Sequence, residues 1–334
     1  MAYAEGYYVN LRGIKMYEII VNPGARSARG VKIWNKVEHL FRDANVQYNV
    51  HFTEKFNEGG DIISDICKEY ADKGETLHFI IFGGDGTVNG ILQKIPSLKD
   101  VIVSVIPIGS SNDFARDVGI STKPEEAVAH LLSSPTSIYV DIGYVHQENK
   151  LVRSGAMDIP DRRFLVSTGM GYDAAICEEA LSSGIKNFFN RIGLGKLTYL
   201  GVALKQLMST RYITGELTLN NGENIIPLER LLFIAGMNHK YEGGGFMFGP
   251  EANNHDGMLE LCAVTRIPKL KILFSLPKAY KGRHFEVDGI DHYRARSYTV
   301  RTSEPLYVHA DGEVDAKADF ISVYLDDAAL QIIY

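Results

Sequence analysis

The sequence predicts an α/β domain followed by a β-rich one. Three observations carry this: strands and amphipathic helices alternate over the first part of the chain, loops rich in glycine or asparagine sit at successive strand ends, and near Pro135 the rhythm gives way to strands without regular helices between them. With 334 residues, two domains are the default expectation. The first spans 16–136, a parallel sheet with helices on both faces. The second spans 137–325, an antiparallel sandwich or barrel with helical insertions. Residues 326–334, beyond the bend offered by Asp326-Asp327, form a last strand that returns to the first domain.

Taken in order, Tyr17–Val21 is a compact apolar run stopped by Asn22-Pro23-Gly24, a strand entering a loop. Val31, Trp34, Val37 and Phe41 recur at helical spacing within Gly30–Ala44. Val46–Thr53 reads as strand, and Asp61–Lys73 as a helix burying Ile62, Ile66 and Tyr70. Thr76–Phe82 is the third strand. A helix over Val88–Ile95, its start near Thr87, ends at Pro96. Val101–Ile108 is the fourth strand, opening into Gly109–Arg116. In a parallel sheet, ligands collect at the carboxyl ends of strands, so the loops Asn22–Gly30, Gly83–Thr87 and Gly109–Asp113 are expected to converge. In the second domain, Ser137–Tyr144, Arg163–Thr168, Ile213–Leu219, Leu231–Met237, Tyr298–Arg301, Pro305–Ala310 and Phe320–Leu325 have strand character, as does Leu330–Tyr334 beyond it. Asp173–Met208 and Ile267–Lys281 are helical interruptions.

Composition excludes several classes. At 45% hydrophobic and 23% charged residues the chain is neither disordered nor fibrous. A formal charge of −6 argues against bulk attraction to nucleic acid or to an anionic membrane, leaving any membrane contact to a local patch. Cys67, Cys177 and Cys262 lie far apart in no metal spacing and read as packing residues of a reducing compartment. No apolar run approaches a membrane span, and no basic region followed by an apolar stretch opens the chain, so the expected location is the cytoplasm. Met1–Lys15, with three tyrosines, reads as an added arm or an alternative start before Met16.

The densest chemistry lies in Phe79–Gly90, where a buried-type strand runs into Gly83-Gly84-Asp85-Gly86-Thr87. Glycines let a backbone take positive φ and leave N–H groups unshielded, and the following helix adds its positive end, as a phosphate site requires. An ordinary turn has the same glycine content. Asp311-Gly312-Glu313 is likewise either an acidic site or a hairpin turn, Asp-Gly being the strongest short signal for the latter.

Gly83–Thr87 with Asn89, followed at the next strand end by Ser111-Asn112-Asp113-Phe114-Ala115-Arg116, resembles the diacylglycerol kinase catalytic-domain family, which includes sphingosine and ceramide kinases. Asn22-Pro23, Thr53, Gly243-Gly244-Gly245 with Pro250, Asp256-Gly257 and Asp311-Gly312-Glu313 follow in the family's order, so the resemblance runs from Met16 to the C-terminus and is nearest the soluble bacterial members. It implies a Rossmann-like first domain, a β-sandwich second domain and an ATP site in the cleft between them. The nucleotide contacts it implies are Asn22, Pro23, Thr53, Gly83, Gly84, Asp85, Gly86, Thr87, Asn89, Ser110, Asn112 and Asp113. Ser110 stands where the family commonly has threonine; the hydroxyl is kept and the χ1-restricting methyl lost. Arg26 and Arg29 could add charge near the phosphates.

The implied reaction is ATP- and magnesium-dependent transfer of phosphate to a lipid hydroxyl, most simply diacylglycerol to phosphatidic acid. Glu313 takes the base role and Asp311 that of partner, the reverse assignment remaining open. Asp85 and Asp113 could hold Mg²⁺ through waters, although Asp113 is equally placed to cap the helix Phe114–Val118. Asn253, Asp256 and Met258 resemble a structural magnesium site, or a plain loop. His239, His255 and His309 have no zinc spacing. Lys186–Arg191, Lys196–Leu200 and the cluster Lys278, Lys281, Arg283 and His284 mix cations with aromatics as a membrane-facing surface does, or as a solvated face does. The expected partner is a lipid met transiently at the inner face of the membrane, with no nucleic acid; a homodimer through a sheet edge is left open. Sphingoid bases, ceramide, monoacylglycerol and undecaprenol stand as alternative acceptors, with NAD kinase activity and an inactive nucleotide-binding regulator as rival functions.

Overall fold

The computed structural model describes residues 7–8, 16–25, 29–53, 60–149, 159–182, 205–222 and 224–334. Two compact units result, Met1–Ile142 with Asp327–Tyr334, and Gly143–Asp326.

The first unit is built on a seven-stranded sheet of order β1-β6-β17-β5-β4-β2-β3. Its strands are β1 (Tyr7–Tyr8), β2 (Tyr17–Val21), β3 (Tyr48–Phe52), β4 (Leu77–Gly83), β5 (Val101–Pro107), β6 (Thr136–Val140) and β17 (Leu330–Ile333). The helices are α1 (Gly30–Asp43), α2 (Gly60–Lys73), α3 (Asp85–Leu92), α4 (Asp113–Val118) and α5 (Pro124–Ser133). β3, β2, β4 and β5 run parallel. β4 and β5 are buried along their whole length, as unbroken apolar runs demand. Phe79, Ile80, Ile81 and Phe82 are fully enclosed, each contributing roughly 1.5–3 kcal/mol of burial. β17 pairs parallel to β5 and antiparallel to β6, so the chain's last strand completes this sheet.

Register aligns the strand ends. Phe52 pairs with Val21, Val21 with Phe82, and Phe82 with Ile106, so Thr53, Asn22, Gly83 and Pro107 all start at one level. That alignment places four predicted contact segments along one edge.

Among the described residues the second unit holds ten strands, all paired antiparallel: β7 (Gly143–Glu148), β8 (Ile159–Phe164), β9 (Ser167–Gly171), β10 (Ile213–Leu219), β11 (Asn224–Leu231), β12 (Phe233–Met237), β13 (Leu259–Val264), β14 (Ile290–Ala295), β15 (Ser297–Ala310) and β16 (Glu313–Leu325). β15 organises them. Its first half pairs with β10 and its last three residues with β9, with a register shift between Arg301 and Leu306 where the strand changes neighbours. A bulged strand shared in this way turns the corner of a sandwich. Met170, Leu217, Ile234, Leu261, Val300 and Ile321 fill its core. Helices α6 (Tyr172–Ser182) and α7 (Lys269–Ala279) interrupt it.

Several expectations need correction. The unit boundary lies at Ile142–Gly143, because Thr136–Val140 pairs in the first sheet; the expected strand Ser137–Tyr144 is in fact two strands. Val31 is 40% exposed, and the buried stripe of α1 is Gly30, Trp34, Val37 and Phe41. Gly30 holds the inward position because a Cβ there would stand 2.0 Å from the Asn22 carbonyl oxygen. Ile62 is likewise outside, and Ile63 takes its place beside Ile66 and Tyr70. α3 begins at Asp85. Arg163–Thr168 straddles β8 and β9, and β11, β13 and β14 were not anticipated. β8 runs Ile-Pro-Asp-Arg-Arg-Phe along a sheet edge, where exposed charges erase apolar alternation.

Candidate active site

Three loops of the first unit interlock at the aligned strand ends. Asn22 Nδ2 donates to Thr87 Oγ1 at 3.0 Å, while Asn22 Oδ1 accepts the Gly24 N–H at 2.9 Å. Asp85 accepts the N–H groups of Asp113 at 2.9 Å and Phe114 at 3.3 Å, one on each carboxylate oxygen. Gly84 and Gly109 meet backbone to backbone: a Cβ on Gly109 would stand 2.5 Å from the Gly84 Cα. Asn112 closes the next loop on itself, its amide donating to Gly109 O at 3.1 Å and accepting Gly109 N–H at 2.9 Å.

The glycines act differently from the expectation. None of Gly83, Gly84 and Gly86 has a positive φ. Gly84 is extended at φ −105° and ψ −174°, and a Cβ on Gly83 would stand 2.2 Å from the Thr87 methyl. Close approach, not backbone handedness, requires Gly83 and Gly84. The first turn of α3 starts directly at this junction, so its positive end faces the loops.

Ser110 is exposed at the loop apex, and Asn89 is fully buried in α3 with Oδ1 accepting from Gln93 at 3.1 Å. Pro23 is half-buried at the β2 end. Thr53 is buried, and among the described residues its Oγ1 has no hydrogen-bond partner. Arg29 is exposed; Arg26 lies outside the described residues.

Asp113 does not cap the helix: Asn112 occupies the cap position at φ 52°, and Asp113 is the first helical residue, ion-paired with Arg116. Asp85 thus ties its loop to the start of α4, while the Asp113 carboxylate is engaged by Arg116 of its own helix. A divalent cation travelling with phosphates fits here as an ion met through water, not as one stripped onto these carboxylates.

In the second unit, Asp311 (φ 51°) and Gly312 (φ 84°) form the turn between β15 and β16, the two positive φ values of a tight hairpin. The Asp311 carboxylate accepts three main-chain N–H groups, from Leu165 at 2.8 Å, Val166 at 2.7 Å and Ser167 at 3.0 Å. It is therefore an anchor. Glu313, first residue of β16, is half-buried beside it.

A cluster that the sequence reading missed lies behind this turn. Asp173, Glu242 and His309 bring their ligand atoms within 4.8 Å of one another, with both carboxylates 3.3 Å from His309 Nε2. Gly169 makes room, since a Cβ there would stand 1.9 Å from Asp173 Oδ2. The Gly312 N–H points at His309 Nδ1, 3.2 Å away. Burial pulls the His309 imidazole down, but Glu242 and then Asp173 outweigh it and hold it up at about 9. Nε2 lies between the two carboxylates, and the three ligand atoms are grouped closely enough to hold a metal ion in place of the proton. The zinc spacing argument passed over His309 because its partners come from distant stretches of chain. Glu242, directly ahead of Gly243-Gly244-Gly245, was the available signal.

Asp256 closes a loop. Its carboxylate accepts the Met258 N–H at 3.0 Å and is ion-paired with Arg294, while Asn253 O accepts the Asp256 N–H at 3.4 Å. A carboxylate held on a guanidinium does not fit the structural magnesium site expected of Asn253, Asp256 and Met258. The basic cluster also loses a member: His284 is buried and pushed down to about 4 by burial, and Lys278 and Arg283 pair with Glu286. Lys186–Arg191 and Lys196–Leu200 lie outside the described residues.

Residues 17–145 match the diacylglycerol kinase catalytic domain, and residues 166–334 match the YegS C-terminal NAD kinase beta sandwich-like domain. The chain belongs to the diacylglycerol kinase family. Its members among curated proteins include the diacylglycerol kinase of Bacillus subtilis (strain 168), 25% identical over 93% of this chain and 94% of that protein. The diacylglycerol kinase of Mycobacterium tuberculosis (strain ATCC 25618 / H37Rv) is 28% identical over 70% of this chain and 69% of that protein. A crystal structure of a diacylglycerol kinase from Bacillus anthracis str. Sterne shares the fold, with TM-score 0.66 and 20% identity, covering 96% of this chain and 97% of that one. The protein is thus an enzyme of the diacylglycerol and lipid kinase type, for which membership implies ATP as co-substrate. Among the described residues no helix is long and apolar enough to cross a membrane.

Proposed function

We propose that this diacylglycerol kinase family member transfers the γ-phosphate of magnesium-bound ATP to the free hydroxyl of diacylglycerol, giving phosphatidic acid. The observation that carries the reading is the register that sets Thr53, Asn22, Gly83 and Pro107 at one level and interlocks the loops behind them. Phosphoryl transfer leaves the protein little covalent work: it needs donors fixed in advance around oxygens whose charge develops. The N–H groups at the start of α3, the Thr87 and Ser110 hydroxyls and the unpaired Thr53 hydroxyl are the donors of this reading. Asp85 and Asp113 are the acids that a magnesium ion carried by the phosphates would meet, and the ion would supply neutralising charge there.

Proton removal falls to Glu313. The Asp311 carboxylate is fixed by the Leu165–Ser167 N–H groups, and in this reading Glu313 beside it takes the acceptor's proton as the phosphoryl group arrives. The names carried by the relatives from Bacillus subtilis and Mycobacterium tuberculosis support diacylglycerol as the acceptor class.

The test is transfer of label from γ-labelled ATP to a panel of dispersed lipids (diacylglycerol, monoacylglycerol, ceramide, sphingoid base, undecaprenol) and to NAD, with and without magnesium. Magnesium-dependent label on diacylglycerol is expected. Label on NAD alone overturns the reading, and label on another lipid alone moves the acceptor.

A further inference from the structure

Helix α7 turns the wrong face to water. Ile272, Ser275 and Ala279 are buried, while Leu270 is 64% and Phe274 81% exposed. Leu270, Phe274 and Pro277 follow at i, i+4 and i+7, so they line one outward stripe. Tyr280, 59% exposed, extends it beyond the helix end, and Met208, also 59% exposed, adjoins the start, where Lys269 Nζ donates to the Met208 carbonyl. A single exposed apolar side chain is ordinary; a contiguous stripe marks a contact surface.

Charge identifies what the stripe meets. From Glu260 to Glu286 the chain carries six cations, Arg266, Lys269, Lys271, Lys278, Lys281 and Arg283, and no acid between them, in a protein whose formal charge is −6. Glu286 offsets Lys278 and Arg283, and Asp291 offsets Arg266, while among the described residues Lys271 meets a main-chain carbonyl, that of Asp288. An apolar stripe bordered by lysines is the layout of a helix lying in a bilayer interface, with ammonium groups at the phosphates and aromatic and aliphatic groups at the acyl boundary. A second copy of this chain is a poorer occupant: a two-fold contact through α7 sets lysines against lysines, and the helix has no acid to answer them.

We propose that α7 seats the enzyme on an anionic lipid surface, Leu270, Phe274 and Pro277 entering the interface while Lys269, Lys271, Lys278 and Lys281 engage headgroup phosphates. This rests on the lipid-acceptor reading, since a substrate with two acyl chains stays in the bilayer and the enzyme must come to it. It also reconciles an acidic protein with a negatively charged surface, because within a Debye length the local patch counts for more than the net charge.

The experiment is co-sedimentation of the full-length protein with phosphatidylcholine vesicles, with and without phosphatidylglycerol. Binding to the anionic vesicles and its loss in high salt are expected. Leu270→Ser/Phe274→Ser should weaken partitioning by about 100-fold, from the apolar area kept out of the interface. Lys271→Glu/Lys281→Glu should weaken it by about 10-fold or more. Both variants should phosphorylate a water-soluble short-chain diacylglycerol at the wild-type rate. Salt-insensitive or absent vesicle binding by the wild type, or undiminished binding by the apolar variant, overturns the proposal. So does conversion of a dimer to a monomer by Leu270→Ser/Phe274→Ser in sedimentation velocity, which would make α7 a contact between copies. Vesicle binding is read without turnover, so failure to label any lipid would count against the reaction and not against this surface.

Discussion

In the first unit the candidate residues are held by closeness: Gly84 against Gly109, Gly83 against Thr87, Gly30 against the Asn22 carbonyl. In the second they are held by charge: Asp311 on three N–H groups, His309 between Asp173 and Glu242. The difference matches what each is asked to do. In the proposed reading, a loop that receives a highly charged phosphate chain keeps its own charges on its own backbone, as Asp85 does, and presents donors. The turn proposed to present Glu313 has its second carboxylate fixed and the buried His309 behind it.

Substitutions at the acidic turn should separate its two acids most widely. Glu313→Gln is expected to lower turnover on dispersed diacylglycerol by roughly 10²- to 10⁴-fold, with nucleotide binding and thermal unfolding unchanged. Asp311→Asn should instead cost about 1–3 kcal/mol of stability, because an amide sets a donor against donors. Near-normal turnover in Glu313→Gln would return the base role to Asp311 or to the substrate itself.

The buried histidine comes next. His309→Ala leaves Asp173 and Glu242 facing one another without their cation, and should cost about 3–5 kcal/mol, partly recovered by adding Glu242→Gln. Titration sharpens the contrast. His309 is raised to about 9 in the folded protein, so its contribution is complete below about 6.5 and is lost as pH rises through 9. His78, buried between β4 and β5, goes the other way. Its Nε2 meets Ser104 Oγ at 2.8 Å, Ser104 donates onward to the Ile333 carbonyl, and burial pushes the ring down to about 3. Its contribution is complete above about 6.5 and is lost as pH falls toward 3. Hydrogen exchange along β15 should therefore quicken on the alkaline side. Fluorescence of Trp34, the sole tryptophan, should report loosening of the first unit on the acid side. Alkaline loosening that persists in His309→Gln would remove that histidine as its cause.

What the sequence revealed divides along the same line. β4 and β5 were legible because a strand buried on both faces reads as an unbroken apolar run, and the loops because glycine and asparagine clustered at a strand end stop that run. The reason for the glycines was not legible. Gly84 and Gly109 come from different loops, and only strand register brings their backbones together. The His309 cluster was illegible for a related cause, since Asp173 follows β9, Glu242 follows β12 and His309 lies within β15. Antiparallel pairing joins those three segments, and no local spacing records it.

The smallest expected effects test the first unit's geometry itself. Gly109→Ala is allowed by its neighbours in sequence but puts a methyl 2.5 Å from the Gly84 Cα, so the two loops must part. Overpacking of this kind costs about 1–3 kcal/mol. Because the displaced groups are the proposed donors for phosphate, nucleotide affinity should fall more than turnover at saturating ATP. Ser110→Thr is the matching control: Ser110 is exposed, and a surface change there should stay within about 0.5 kcal/mol in stability. Restoring the methyl narrows χ1, so its effect should be a modest tightening of nucleotide binding with turnover unchanged. If Ser110→Thr shifted affinity as strongly as Gly109→Ala, hydroxyl orientation and not backbone proximity would be setting the phosphate site.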